Sequence, residues 1–148
     1  MEYKIENGIT PEEYNELRNS VGWDSKNKNI IENAIKNSVF AKKVIYNNKI
    51  VGMARVIGDG LYYLIVDVVV HSDYQKKGIG KLLIESIVKD IEERTEIGQK
   101  CSINLISMKG KEEFYKKCGF RTIPFDYTGY GMTLRIQKWG VVTWKRFI

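Results

Sequence analysis

The chain has 148 residues, 43% of them hydrophobic and 28% charged, with a formal net charge of +6; that balance suits one soluble globular domain with a proper core. No apolar run reaches the length of a membrane span, Met1-Glu2-Tyr3-Lys4 is no signal peptide, and Cys101 and Cys118 are too few and too far apart for a disulfide framework or zinc site, so a cytoplasmic protein without a metal or a membrane partner is expected. The lysines are scattered rather than gathered in one tract, which argues against nucleic acid as a main partner and suits a solvated surface plus a small anionic-ligand site.

Thr10-Pro11-Glu12-Glu13 opens a helix, with threonine as cap, proline first and acids next, running to about Ser20 and burying Tyr14 and Leu17. Val21-Gly22-Trp23 breaks it, and Ile30, Ile31, Ala34 and Ile35 recur at the spacing of a second short helix. Phe40–Tyr46 and Ile50–Ile57 read as hairpin strands about an Asn47-Asn48-Lys49 turn, and Gly58-Asp59-Gly60 turns into a third strand, Tyr62–Val70. A helix follows with Ile79, Leu82, Leu83, Ile87, Val88 and Ile91 on its apolar face, ending near Thr95. Cys101–Ser107 is the next strand, Lys111–Cys118 a short helix stopped by Gly119, and Phe120–Ile123 and Gly131–Ile136 late strands. This order predicts one domain, 1–148, built as an α/β sandwich around a mixed sheet, with 137–148 as a C-terminal extension. The extension carries Trp139, Trp144 and Phe147, and its alternation with Val141 and Val142 is imperfect. It could extend the sheet, cover a cleft or make a homodimer contact.

The most informative stretch is Gln75-Lys76-Lys77-Gly78-Ile79-Gly80, which joins the apolar strand ending at Val70 to the amphipathic helix beginning near Ile79. A helix start presents free N–H groups and the positive end of the helix dipole, and glycine lets an anion approach the backbone. Lys76, Lys77 and Lys81 add charge. A polyphosphate fits such a site. The Gly-Lys-Ser/Thr of a Walker A loop is missing, and so is the third glycine of a dinucleotide fingerprint.

Asp67 to Gly80 as a whole resembles the acetyl-CoA motif of the GNAT N-acetyltransferase superfamily. Phe114-Tyr115-Lys116-Lys117-Cys118-Gly119-Phe120, about 40 residues on, is similar to that family's FYxxxGF helix-to-strand junction, and Gly129-Tyr130-Gly131-Met132 to a GxGM entry into a late strand. The resemblance implies a central, mostly antiparallel sheet of about six to seven strands, splayed between the fourth and fifth, with about four helices. It further implies acetyl-CoA as cosubstrate, with its pyrophosphate on Gln75, Lys76, Lys77, Gly78, Ile79 and Gly80. Val68 and Val70 would pair their backbone with the pantetheine arm, and an amide near Val69 or Val70 would polarise the thioester carbonyl. Many members carry an asparagine seven residues before the motif tyrosine; here Met108 stands there.

By the same resemblance Tyr115 is the expected general acid for the coenzyme A thiolate, since a phenol can hydrogen-bond or protonate a departing thiolate. Asp67, placed by alternation on the face opposite Val68 and Val70, could be a base acting through water, an anchor for the amine, or a structural acid. His71, the only histidine, is read as structural. Trp23 could wall the acceptor pocket through a cation–π contact or simply pack. Tyr62, Tyr63, Phe125, Tyr127 and Tyr130 are further aromatic candidates. The expected activity is direct acetyl transfer to a primary amine of a small molecule, or to a protein amino group. A non-catalytic acyl-CoA-binding sensor is the rival reading.

Overall fold

The computed structural model describes residues 2–139 and 143–147, with Trp139 and 143–147 described by their backbone. The chain divides into two compact units, Met1–Ser107 and Met108–Ile148. In the first, β1 (Lys4–Asn7), α1 (Pro11–Ser20), α2 (Lys28–Lys36), β2 (Phe40–Tyr46), β3 (Lys49–Gly58), β4 (Tyr62–Val70), α3 (Ile79–Arg94) and β5 (Ser102–Leu105) follow one another, with a single 3-10 turn at Ser72–Tyr74. The second unit holds α4 (Glu112–Lys117) and a separate antiparallel pair, β6 (Arg135–Trp139) and β7 (Thr143–Phe147).

Local chemistry accounts for the element starts. The Thr10 hydroxyl accepts from Glu13 N at 3.1 Å while Glu13 Oε1 accepts from Thr10 N at 3.1 Å, a reciprocal capping box. Asn27 caps α2 with its Oδ1. Asn47 and Asn48 both take positive φ between β2 and β3, the conformation that matches a tight hairpin turn to strand twist. Asp59 Oδ1 accepts from Leu61 N at 2.9 Å and Tyr62 N at 3.0 Å, closing the next turn.

The first unit's sheet runs β1-β2-β3-β4-β5, antiparallel except for the parallel pair β4–β5. Ile9, Tyr14, Leu17, Ile31, Ala41, Ile50, Met53 and Val69 form the core on the α1–α2 face. Val44 and Val51 meet Ile79 and Leu83 of α3 on the other. A buried ion pair fastens α3 to the sheet: Lys42 Nζ lies 3.0 Å from Asp90 Oδ2 and 3.1 Å from Asn7 Oδ1.

The structure departs from the sequence reading at five points. β1 was not foreseen; a four-residue edge strand with one antiparallel neighbour carries too little periodicity to read. The buried face of α3 is Ile79, Leu83, Ile84, Ile87 and Ile91, with Leu82 and Val88 at its margins. β5 shrinks to Ser102–Leu105. Phe120–Ile123 forms no strand, and the late strand begins at Arg135 rather than Gly131. Finally, the expected six to seven strands are divided between a five-stranded sheet and the separate β6–β7 pair. Val141 and Val142 of the C-terminal extension lie outside the described residues.

Gly52 lets α3 approach β3. A Cβ there would lie 3.0 Å from Ile79 Cγ2 and 3.2 Å from Leu83 Cδ1, both in the core. Gly52→Val is therefore expected to lower stability by about 1–3 kcal/mol through overpacking, read as a lower urea midpoint at unchanged m-value.

Candidate active site

The glycine loop is held between β4 and α3. Gly78 caps α3 in the left-handed region, φ 84°, and no side chain caps the first turn. Lys76 also takes positive φ, 62°. Gln75 to Gly78 are exposed while Ile79 is buried, so the loop is anchored by one apolar residue and open on its outer side. Helix-start amides left without an internal partner are donors for an anion. Tyr74 stands beside the loop with Lys77 Nζ 5.4 Å and Lys49 Nζ 5.7 Å from its ring centre, which adds Lys49 to the positive surroundings. Sequence spacing could not show that, because Lys49 comes from the distant β2–β3 turn.

β4 changes partners along its length. Its parallel pairing with β5 runs from Tyr62↔Ser102 to Ile65↔Leu105 and stops. Beyond it, Val66–Val70 have β3 as their one strand neighbour among the described residues. On that side the register jumps from Arg55↔Val66 to Met53↔Val69, so Ala54 faces both Asp67 and Val68. This is a β-bulge, with Asp67 at φ 54°. The His71 amide donates to Val51 O on β3 at 2.9 Å. Strand alternation therefore turns the Val70 peptide groups the other way, and Val70 O accepts from Gln75 Nε2 at 3.1 Å. Val68 shares that outward direction. The open edge and the glycine loop are thus continuous through Gln75.

Asp67 is held by groups that the sequence reading did not single out. Its Oδ2 accepts from Arg55 Nε at 3.1 Å and lies 3.0 Å from Nη2 in an ion pair. Arg55 Nη1 donates in turn to Ser38 Oγ at 3.2 Å, and the Asp67 carboxylate bears on the buried Tyr14 phenol electrostatically. Both charged side chains are only 16% exposed. A signal was present: Arg55 is the one charge inside Val51–Ile57, as Asp67 is inside Leu64–Val70. Asp67 and Val70 do face opposite sides of the sheet, Val70 packing on the α3 side.

The remaining candidates fall as follows. His71 Nδ1 accepts from Asp73 N at 3.2 Å and caps the 3-10 turn. Trp23 packs against the α1–α2 core, and Arg18 Cζ sits 5.1 Å from its ring centre. Tyr63 is buried, whereas Tyr62, Tyr127 and Tyr130 are largely exposed. In the second unit Gly119 takes φ 96° after α4. Gly119 N donates to Lys116 O and Phe120 N to Tyr115 O, the paired bonds of a Schellman stop. The Phe120 ring meets Tyr115 edge-on at 6.2 Å and Phe114 does so at 4.9 Å. The FYKKCGF motif is thus a helix end that clamps a tyrosine between two aromatic rings. Burial first, and the Cys118 thiol second, push the Tyr115 phenol above its ordinary value, so it keeps its proton.

A family model for the acetyltransferase (GNAT) domain matches residues 37–122, more than half of the chain. The chain belongs to the GNAT acetyltransferases. It is 35% identical over 122 residues to the uncharacterized N-acetyltransferase ycf52 of Pyropia yezoensis, covering 79% of this chain and 68% of that one. It is 30% identical over 125 residues to a Glycine max protein named histone acetyltransferase TAP1, covering 76% of this chain and 52% of that one. Among solved structures, a probable acetyltransferase from Staphylococcus aureus superposes with a TM-score of 0.76 at 29% identity, over 89% of this chain and 99% of that one. This acetyltransferase is accordingly an acyl-transfer enzyme, and its family generally uses acetyl-CoA. No group of His, Cys, Asp and Glu that could hold a metal occurs among the described residues.

Burial first, and the Asp67 carboxylate next, push the Tyr14 phenol up to about 12. Folded Tyr14 therefore holds its proton beyond the unfolded value, so its contribution is full below about pH 10 and is lost as pH rises towards 12. The difference amounts to about 2–3 kcal/mol. Tyr14→Phe is expected to remove that part of the alkaline destabilisation, measured by urea unfolding at about pH 9 and pH 11.5.

Proposed function

We propose that this protein transfers an acetyl group from acetyl-CoA directly to a primary amine of a small molecule. The observation that carries the reading is the continuity of two features: the unpaired outer edge of β4 and the uncapped start of α3, joined by the Gln75–Val70 bond. Acetyl-CoA would bring an activated acyl group on a long, hydrogen-bonding arm with a pyrophosphate. The residues fit each part of it. Gly78, Ile79 and Gly80 offer backbone amides to the pyrophosphate, with Gln75, Lys76 and Lys77 around them. Val68 and Val70 offer the outward-turned peptide groups of β4 to the arm, as an added strand would use them. Val69 turns its side chain into the α1–α2 core and so fixes the strand's orientation.

Tyr115 serves as the proton donor to the departing thiolate, in keeping with its raised, protonated phenol. No activated serine or cysteine is needed when the amine attacks the thioester itself. A protein amino group as acceptor is the second reading, favoured by the name of the Glycine max relative.

Three outcomes are expected. Acetyl-CoA at 100 times its dissociation constant should stabilise the protein by about 2.7 kcal/mol in a thermal-shift measurement. An amine panel with acetyl-CoA should release free thiol; binding without thiol release would instead indicate a non-catalytic acyl-CoA sensor. Tyr115→Phe should lower kcat by roughly 10²-fold while acetyl-CoA still stabilises the protein. Absence of any shift with acetyl-CoA would remove the proposal.

A further inference from the structure

The bulge in β4 decides which peptide groups the open edge presents. One extra residue between Val66 and Val69 reverses the alternation of the strand. With it, Val68 and Val70 turn outward; without it, Asp67 and Val69 would. The bulge places a non-glycine residue, Asp67, at φ 54°, a conformation that the surroundings must hold. Arg55 grips one carboxylate oxygen with two nitrogens and braces itself on Ser38. Tyr14, 4% exposed, packs from α1 in one core cluster with Val69 and sets its phenol in the field of the Asp67 carboxylate.

Resting on the acetyl-transfer reading above, we infer that Arg55 and Tyr14, acting through Asp67, are positioning residues. They lock the β4 bulge so that the Val68 and Val70 peptide groups meet the acyl donor. The carboxylate of Asp67 is committed to this task. It is neither the base nor the amine anchor. Arg55 comes from β3, Tyr14 from α1 and Ser38 from the turn just beyond α2, so separate parts of the fold converge on one strand irregularity. Such convergence gives a fixed geometry where a small misplacement of a donor is costly to rate.

Two measurements test this. Hydrogen–deuterium exchange of the segment 64–71 in the free protein reports the bulge without reference to activity. Kinetics with acetyl-CoA and an amine that the wild type acetylates report its use. Asp67→Ala and Arg55→Met should speed exchange in 64–71 by about 10-fold or more, leave α3 as in the wild type, and lower kcat by about 10-fold or more with a smaller change in the KM for acetyl-CoA. Asp67→Asn still accepts from Arg55 and tolerates positive φ, so it should stay within about threefold of wild-type kcat. Tyr14→Phe, a single-hydroxyl deletion, carries the exchange test should the charged-pair variants fail to fold, and it too should loosen 64–71 selectively.

Equal loss of kcat in Asp67→Asn and Asp67→Ala would overturn the inference in favour of a catalytic carboxylate. Unchanged exchange in 64–71, or exchange raised evenly across the sheet, would overturn it as well. If the wild type turns over no amine at all, the acetyl-transfer reading fails, while the exchange result still decides whether these residues lock the bulge.

Discussion

Backbone hydrogen bonding along β4 is the constraint on which the N-terminal unit is organised. A strand inside a sheet satisfies its peptide groups on both sides, and β4 does so with β3 and β5 only as far as Ile65. Past that point β5 has ended, and one row of donors and acceptors has no strand partner among the described residues. An unpaired apolar edge invites further strands. Here the edge is short and kinked by the bulge, and it runs into a loop bearing Lys76 and Lys77. These are features that discourage another strand while leaving room for a slender ligand arm.

Two buried ion pairs serve this arrangement from opposite faces of the sheet. Arg55–Asp67 lies on the α1–α2 side and bears on the bulge. Lys42–Asp90, with Asn7 as a further partner, lies against α3 and fixes the helix whose start receives the glycine loop. Replacing such pairs by apolar residues is often neutral or stabilising, so their value is better sought in register and orientation than in net stability. Both pairs join elements far apart in sequence. Each therefore fixes a geometry that local propensity leaves open.

Much of the candidate site was legible because it depends on residue type at short range. The loop Gln75–Gly80 reads as a helix start from its glycines and the apolar runs on either side, and Gly119 reads as a helix stop. Capping by Thr10 and the Asn47-Asn48 hairpin turn are local in the same sense. What escaped was of longer range. β1 is defined by pairing with residues nearly 40 positions away. The inclusion of Ile84 in the α3 core reflects how the helix rolls onto the sheet. The bulge is visible only as a mismatch between two registers, and the pairing of Arg55 with Asp67 beside it only in three dimensions.

The sequence by itself determined the local conformations of the candidate site. A glycine loop between a β-branched strand and an amphipathic helix, followed by a clamped tyrosine motif, is written in contiguous residues whose conformations are set by their own side chains. Only the tertiary structure decided which peptide groups of β4 turn outward and which side chain pairs with Asp67. Both depend on one extra residue in a strand register, and on an arginine and a tyrosine carried to it by other elements. Register is a relation between strands. No single strand's sequence contains it.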